Sequence, residues 1–347
     1  MLINKELHKK TIELFNTKNE ALKSIAQQIR AKTISNNVYL RAIIEISNIC
    51  EKDCLYCGIR LSNKRKKHYF LNSDDILGLT KSAYDLGYRS IVIQSGEQTS
   101  NHFIEFIDKI IRKIKENFDI KIVLSCGEQQ QQVYKQWKKS GADRYLLRIE
   151  TSCPELYKKI HPNNSKHSFK SRIKCLMDLK KLNYQTGTGI MIGLPGQTLT
   201  DLAKDVEFFL NMDIDMLGMG PYIPNPQTPL YKDADINLEE NYHNTLKMIS
   251  ICRILMPDIN IASTTALEAI HSYGRIEGIL YGANVLMPNI TPEKFVQDYS
   301  LYENKPKSMG LQKTYLNELG KALKKLSYSL ILKDPGAPLH YINKHTP

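Results

Sequence analysis

Eight short apolar or β-branched runs, separated by longer segments with helical spacing, constrain the fold of this chain more than any other feature. The runs span residues 40–47, 90–95, 120–125, 145–151, 186–193, 216–223, 259–264 and 283–288. Apolar residues recur with helical spacing in the intervening segments, as in HFIEFIDKIIRKIKENF, and Gly87 and Gly141 follow two of these segments. Eight strand–helix repeats predict a closed (β/α)8 barrel, with a doubly wound open sheet as the alternative.

The domain organisation follows from the length and from the even composition of the chain. No linker or low-complexity stretch divides the 347 residues, which are enough for one barrel-sized domain. The simplest partition has a helical lead-in over residues 1–36, a catalytic barrel over 37–300 and a C-terminal extension over 301–347.

Composition narrows the setting of the protein. No apolar run approaches the roughly 20 residues of a membrane helix, and the N-terminal MLINKELHKKTIELF carries charges where a signal peptide would be apolar. Seven cysteines are too few and too unevenly placed for a disulfide framework. These patterns predict a cytoplasmic protein with no membrane partner.

The net charge of +12 raises the question of nucleic acid, but Lys and Arg are scattered along amphipathic segments. The densest run is KRKK at residues 64–67. This pattern favours solvated faces over nucleic-acid binding, with attraction of an anionic partner second. A basic RNA-modifying enzyme stays open as a minor alternative.

The stretch CEKDCLYC directly follows the first run and places Cys50, Cys54 and Cys57 at C-x3-C-x2-C spacing. Three thiolates leave one position of a four-coordinate metal site for another ligand. A structural zinc would need a fourth Cys or His, and the nearest candidate, His68, has no second half-site around it. A redox dithiol fits three cysteines poorly. The other cysteines are expected to be small buried residues.

Polar residues recur where the predicted strands end. Ser95, Gly96 and Glu97 end the second run, and Ser125 ends the third; Arg148 and Glu150 close the fourth, and Gly193 ends the fifth. In a (β/α)8 barrel the carboxyl ends of the strands converge on one mouth, where chemistry takes place. We therefore expect these side chains to line one site.

The cysteine spacing, with Tyr56 just before the last cysteine, resembles the motif of radical S-adenosylmethionine (SAM) enzymes. This resemblance implies that Cys50, Cys54 and Cys57 hold a [4Fe-4S] cluster and that SAM takes the free coordination position. Cleavage of SAM then yields a 5′-deoxyadenosyl radical, chemistry that no side chain supplies.

Further motifs extend the resemblance to the [FeFe]-hydrogenase maturases of the HydE family. They are IVIQSGE, LSCGE, GADRYLLRIET, GIMIGLPGQT, PYIPNPQTPL, STTA and GANVLMPN, and with the cysteine motif they cover roughly residues 38–300. The family shares its barrel with biotin synthase and methylornithine synthase. The resemblance implies that SAM contacts Tyr56, Ser95, Gly96, Glu97, Ser125, Glu150, Arg172 and Gly193.

The resemblance also implies a substrate pocket and partners. Arg148, Thr264 and Thr265 match an anion-binding pocket that would hold the carboxylate of a cysteine-derived iron complex carrying carbon monoxide and cyanide. Family partners are the maturases HydG and HydF, and an electron donor such as ferredoxin or flavodoxin.

Three departures from the family pattern concern the substrate. Residues 253–347 contain no cysteine for an auxiliary cluster, which argues against sulfur insertion of the biotin synthase kind. Val123 replaces a frequent threonine and Ile149 a frequent histidine, so we expect a less polar pocket. A related enzyme acting on another small substrate, such as a methylornithine-synthase-like mutase, is the alternative function.

Overall fold

The computed structural model describes residues 5–233, 236–308 and 310–345. Its strands are β1 (Asn37–Leu40), β2 (Ala42–Ser47), β3 (Ser90–Ser95), β4 (Lys121–Ser125), β5 (Arg144–Leu146), β6 (Gln185–Thr188), β7 (Met191–Ile192), β8 (Met216–Pro221), β9 (Asn260–Ser263), β10 (Val285–Leu286) and β11 (Ser329–Ile331).

Helices connect the strands and flank them at both ends of the chain. They are α1 (Lys5–Asn16), α2 (Asn19–Thr33), α3 (Ser73–Asp85), α4 (Asn101–Asn117), α5 (Gln131–Ser140), α6 (Pro154–Ile160), α7 (Phe169–Lys181), α8 (Leu199–Asn211), α9 (Leu238–Leu255), α10 (Thr265–Ile270), α11 (Gly274–Leu280), α12 (Glu293–Val296), α13 (Lys313–Lys325) and α14 (Leu339–His345). Two short 3-10 helices span Ser165–His167 and Pro229–Asp233.

The strands form the predicted (β/α)8 barrel. Strands β1 and β2 are one extended segment interrupted at Arg41; β1 pairs with β10 and β2 pairs with β3, all in parallel. The N–H of Arg41 donates to the carbonyl of Leu286 (3.0 Å), and that of Ile43 donates to Pro288 (2.9 Å). These bonds join the last barrel strand to the first, so the sheet closes on itself.

Local sequence explains where several helices begin and end. The side chains of Asn72 and Ser100 accept N-cap hydrogen bonds at the starts of α3 and α4, and Thr198 and Asp201 form a capping box on α8. Gly141 ends α5 with φ of 115°, a left-handed conformation that favours glycine. Gly87, with φ of 96°, lies just beyond α3. Both glycines therefore lie at helix ends, as predicted.

Two predicted strands are shorter or broken. The fourth predicted strand, observed as β5, ends at Leu146, and Glu150 then adopts φ of 66°. The fifth run is split into β6 and β7 because Glu150 pairs there: its N–H donates to Gly189 (3.0 Å), and its carbonyl accepts from Met191 (3.0 Å). A Cβ at Gly189 would lie 1.9 Å from the carbonyl oxygen of Gly218, so only glycine permits this close approach.

Segments outside the barrel strands complete the fold. Helix α1 packs on α8 and α2 packs on α9. Strand β11 pairs in parallel with β1, and the carbonyl of Gly336 accepts hydrogen bonds from Arg41, Arg144 and Asn260 at the barrel floor. None of the helices in the described ranges has the length and apolarity needed to cross a membrane. The partition at residues 36 and 300 stays a prediction.

Candidate active site

A cavity of about 320 Å³ lies at the carboxyl ends of the barrel strands. The predicted site residues that line it are Cys50, Cys54, Tyr56, Cys57, Ser95, Gly96, Glu97, Ser125, Arg148, Glu150, Arg172, Thr264 and Thr265. They come from strand ends, loops and helices along most of the chain, and barrel closure brings them to one mouth. Their individual contacts with ligands stay predictions.

The cysteine loop is fixed by backbone hydrogen bonds to its surroundings. The N–H of Glu51 donates to Glu97 (2.8 Å), and that of Gly58 donates to Leu301 (3.0 Å). A Cβ at Gly96 would lie 2.2 Å from the carbonyl oxygen of Ile49, so glycine here lets the loop after β3 approach the cysteine loop. The SAM contact that the resemblance implies at Gly96 stays a prediction.

The three cysteines are free, half-buried thiols. Burial is the main cause, and the charge of neighbouring Cys50 a smaller one, that raises the pKa of Cys57 to about 12. Burial raises the pKa values of Cys50 and Cys54 as well. Thiolates form at such a place when a metal supplies the positive charge.

No trio of His, Cys, Asp or Glu side chains in the described ranges lies close enough to hold a single metal ion. An iron–sulfur cluster takes one thiolate per iron and so requires more widely spaced sulfurs.

Four charged side chains form a buried network beside the cysteines. Lys52 Nζ lies 3.0 Å from a carboxylate oxygen of Glu97 and 3.0 Å from one of Glu128, and Arg172 Nε donates to Glu128. Arg172 Nη1 also donates to the carbonyl of Arg148 (2.6 Å). Two carboxylates thus balance two cations.

The pKa values of the two carboxylates in this network shift in opposite directions. Burial raises the pKa of Glu97 despite its neighbours Arg172 and Lys52. Burial acts in the same direction on Glu128, but Arg172 and Lys52 together hold its pKa below the ordinary value. Arg172 Nη2 lies 3.9 Å from Glu97 Oε2, the longest of the ion-pair distances in the network. A zwitterionic amino-acid group could bind here, with its ammonium on Glu97 and its carboxylate on Arg172.

Sequence reasoning missed Lys52, Glu128 and the glycine that accommodates Glu97. Lys52 stands between the first two cysteines, and Glu128 ends the motif LSCGE, so each had a signal in its position. Gly127 has φ of 73°, and a Cβ there would lie 2.3 Å from Oε2 of Glu97. Glycine is therefore required beside the Glu97 carboxylate.

A second part of the cavity wall carries Arg148, Thr264 and Thr265, the residues predicted to bind substrate. Arg148 Nη2 lies 3.0 Å from Glu150 Oε2 and also donates to the carbonyl of Ile190 (2.7 Å). Thr264 Oγ1 donates to the carbonyl of Met219 (2.9 Å). This wall thus combines a guanidinium with hydroxyl groups.

Tyr302 joins the same wall and was missed in the sequence. Its hydroxyl lies 2.8 Å from Thr265 Oγ1, and burial raises its pKa to about 12, so the hydroxyl stays protonated near neutral pH. Tyr299 lines the cavity too. No motif identified either tyrosine, because residues 298–302 reach the barrel mouth only through the tertiary fold.

Three other residues lie outside the cavity lining. Gly193, with φ of 86°, donates its N–H to Gln197 Oε1 (2.7 Å), and a Cβ there would lie 1.7 Å from Asn241 Oδ1. Val123 lines a separate cavity of about 20 Å³ deeper in the barrel, and Ile149 is fully buried. The expected loss of polarity from Val123 and Ile149 does not occur in the main cavity, because their side chains do not face it.

Comparisons with known proteins agree with this geometry. The family model of the radical SAM superfamily matches residues 44–209. The [FeFe] hydrogenase maturase subunit HydE of Thermotoga maritima is 45% identical over 289 residues, covering 83% of this chain and 80% of that protein.

Solved structures show the same fold. The crystal structure of methylornithine synthase (PylB) superimposes with a TM-score of 0.76 at 21% identity and covers 94% of each chain. A crystal structure of HydG, a maturase of the [FeFe]-hydrogenase, has a TM-score of 0.76 at 18% identity, covering 93% of this chain and 74% of that chain. At these identities the likeness concerns the fold alone.

Proposed function

This chain belongs to the HydE family of radical SAM enzymes, and from that membership we propose that it is a maturase in assembly of the [FeFe]-hydrogenase active centre. Its proposed substrate is a cysteine-bound iron complex carrying carbon monoxide and cyanide, on which a 5′-deoxyadenosyl radical acts. The observation that supports this most is the single cavity lined by both the cysteine loop and the Arg148 wall.

The family implies a [4Fe-4S] cluster and SAM, and the residues present fit both. Cys50, Cys54 and Cys57 are free and line the cavity, so each can supply one thiolate to one iron of a cluster. When bound, the cluster supplies the electron that cleaves SAM reductively.

We assign the methionine end of SAM to the charged network. Arg172 is buried and presents a planar fork suited to a carboxylate, while Glu97 is buried and suited to the ammonium. Lys52 and Glu128 hold these two side chains in place through ion pairs. Ser95, Gly96 and Tyr56 complete this side of the cavity.

The remaining SAM contacts would lie on neighbouring loops. Ser125 and Glu150 line the cavity beyond the charged network, which suits contacts with the rest of the cofactor. Gly193 would act indirectly, since it shapes the turn that follows Met191, a residue of the cavity wall.

We assign the substrate carboxylate to the part of the cavity wall that carries Arg148. Arg148 provides the cation, and the hydroxyls of Thr264 and Thr265 are within the same wall. The complex would be received from a HydG-type maturase and its product passed to a HydF-type scaffold. Co-purification or transfer of labelled iron between the purified proteins tests this partnership, and no transfer in either assay would contradict it.

The test of the function is anaerobic and measures 5′-deoxyadenosine. The protein is reconstituted with iron and sulfide, reduced and given SAM, with and without the cysteine–iron complex, and Cys54→Ala serves as the blank. We expect 5′-deoxyadenosine to form only with Cys54 present and to increase with the complex. Formation that ignores the complex would overturn the proposed substrate and favour another small molecule, such as an amino acid of the methylornithine synthase type. No formation despite a loaded cluster would contradict the catalytic role.

A further inference from the structure

An exposed basic segment directly follows the cluster cysteines. Between Asp53 and Asp74 the chain has no acidic residue, while Arg60, Lys64, Arg65, Lys66 and Lys67 contribute five positive charges. This local excess is separate from the scattered charge of the rest of the chain, and the proposed function assigns it no role.

Three of the five cations are free to meet a partner. Lys64, Arg65 and Lys67 are exposed, and none of them forms an ion pair within the described ranges. Arg60, by contrast, lies 2.8 Å from Asp53 and neutralises the nearest carboxylate. The uncompensated charge therefore faces solvent.

The backbone beneath these side chains is held in place. Asn63 Nδ2 donates to the carbonyl of Gly58 (2.7 Å), and Asn48 Nδ2 donates to that of Lys67 (2.7 Å). Lys66 points inward and donates to the carbonyls of Ile59 (2.5 Å) and Arg60 (2.6 Å). A fixed backbone lowers the entropy cost of docking a partner on this face.

The segment is adjacent to the cysteines. Ile59 lines the cavity together with Cys50 and Cys57. The inner side of the segment thus faces the cluster site and its outer side faces solvent.

We propose that Leu61, Lys64, Arg65 and Lys67, called here the basic surface, dock a small acidic protein that carries one electron. The inference rests on the proposed function, since reductive cleavage of SAM consumes one electron that the chain itself does not provide. In each transfer the reduced carrier loses one electron and is oxidised, and the cluster gains that electron. Leu61, 51% exposed, supplies an apolar contact amid the charges.

An acidic protein suits this surface better than RNA does. Single-stranded RNA binds through exposed aromatic rings as well as cations. In this segment Tyr69 is buried, and Phe70 is half-buried against Phe103 and Phe106. The basic surface lacks an exposed Phe, Tyr or Trp, and it lies where an electron must enter.

The test compares two charge-reversed variants of the reconstituted enzyme. The variant K64E/R65E/K67E changes the basic surface, and K321E/K324E/K325E makes the same change on α13, where the three lysines are exposed and form no ion pair with a described residue. Reduction of the oxidised cluster by flavodoxin hydroquinone is followed by stopped-flow absorbance at low and high salt. The Kd of flavodoxin for the oxidised holoenzyme is measured by calorimetry.

For the basic-surface variant we expect the second-order reduction rate at low salt to fall about 10-fold or more, with a similar rise in Kd. The α13 variant should stay within about 2-fold of the unmodified enzyme. Salt should slow the unmodified enzyme and have little effect on the basic-surface variant.

Equal rates for all three proteins, or equal losses in both variants, would overturn the docking site. The docking site would also be overturned if K64E/R65E/K67E lost salt-dependent binding of a poly(U) oligonucleotide but kept the reduction rate and the flavodoxin Kd of the unmodified enzyme. The variant K64Q/R65Q/K67Q should give an intermediate loss and guards against misfolding of the reversed protein. Dithionite reduces the cluster without docking of a protein. If the unmodified enzyme forms no 5′-deoxyadenosine with dithionite, that result contradicts the proposed function and not the basic surface.

Discussion

At the scale of single residues, the site depends on charges that are buried in pairs. Glu97, Glu128, Lys52 and Arg172 are each at most 12% exposed at the side chain and neutralise one another. A buried charge without a partner costs several kcal/mol, so the four side chains depend on each other. Such a network holds a binding group in one orientation before its ligand arrives.

Arg172→Lys tests the orientation of the guanidinium. Lysine keeps the charge but cannot make a planar fork to a carboxylate, so we expect SAM to bind roughly 10-fold more weakly or worse. Equilibrium dialysis of the reconstituted protein with labelled SAM measures this. Arg112→Lys, on an arginine that is 56% exposed and paired with Asp108, is the matched control and should not change binding. An unchanged affinity in Arg172→Lys would contradict the assignment.

Backbone strain at Glu150 gives a second prediction at this scale. Its φ of 66° is unfavourable for a residue with a Cβ. Both Glu150→Gly and Glu150→Ala remove the carboxylate, and both should lose SAM cleavage. Glycine adopts this conformation freely, so Glu150→Gly should unfold with a free energy about 1 kcal/mol higher than Glu150→Ala. Urea titration measures the difference, and equal stabilities would show that the conformation is not strained.

At the scale of elements, the turn after β5 decides how the site is built. This turn carries Glu150, which pairs between β6 and β7, and α8 holds the turn from outside the barrel. Asp205 on α8 is fully buried and accepts a hydrogen bond from the N–H of Ser152 (2.5 Å). A helix on the outer layer thus fixes a turn at the barrel mouth.

Asp205 makes stability depend on pH. Burial raises its pKa from the ordinary 3.8 to about 7, despite the hydrogen bonds from Ser152. Between these two values the folded chain holds a proton that the unfolded chain has lost, so stability falls as pH rises from about 4 to 7.

Asp205→Asn removes this proton and keeps an acceptor for Ser152. Between pH 5.5 and pH 8 the free energy of unfolding of the variant, relative to that of the unmodified protein, should rise by roughly 2 kcal/mol. The rise is about 1.4 kcal/mol per pH unit up to the pKa of Asp205 in the folded protein. Urea unfolding of the metal-free protein at both pH values checks this. A constant difference between the two proteins would show that Asp205 does not titrate in this range.

At the scale of the whole molecule, the two ends of the barrel are closed differently. The mouth is covered by residues 298–302, where Gly58 bonds to Leu301 and the Asn225 side chain donates to Ser300 (3.3 Å). The floor is closed by the C-terminal segment through the carbonyl of Gly336. Burial lowers the pKa of Arg144 at the floor to about 10.

Gly336→Ala tests the floor. Gly336 has φ of 59°, and a Cβ there would lie 2.4 Å from Cγ of Tyr39. The substitution should lower the free energy of unfolding by about 2 to 3 kcal/mol. Gly320→Ala, within α13 and at least 3.8 Å from its neighbours, should be neutral or stabilise by up to about 1 kcal/mol. SAM affinity should be unchanged in both, since the floor is remote from the cavity, and equal stabilities would contradict a tight floor.

The barrel class and the candidate cluster loop could be predicted from local patterns in the sequence. Hydrophobic periodicity and helix-end glycines such as Gly141 are local, so they predicted the eight barrel segments in their order along the chain but not β11. The spacing of Cys50, Cys54 and Cys57 is local too, and the loops that carry the candidate residues follow strands whose ends must meet in any closed barrel.

The pairing of distant buried charges and the depth of side chains in the barrel could not be predicted from local patterns. Glu128 meets Lys52 from another loop and Arg172 from helix α7. Tyr302 reaches the cavity from beyond the last barrel strand, and Val123 lines a separate cavity deeper in the barrel. Pairing of buried charges and depth within a barrel depend on the register of parallel strands far apart in the chain. That register is fixed when the sheet closes, and no local pattern records it.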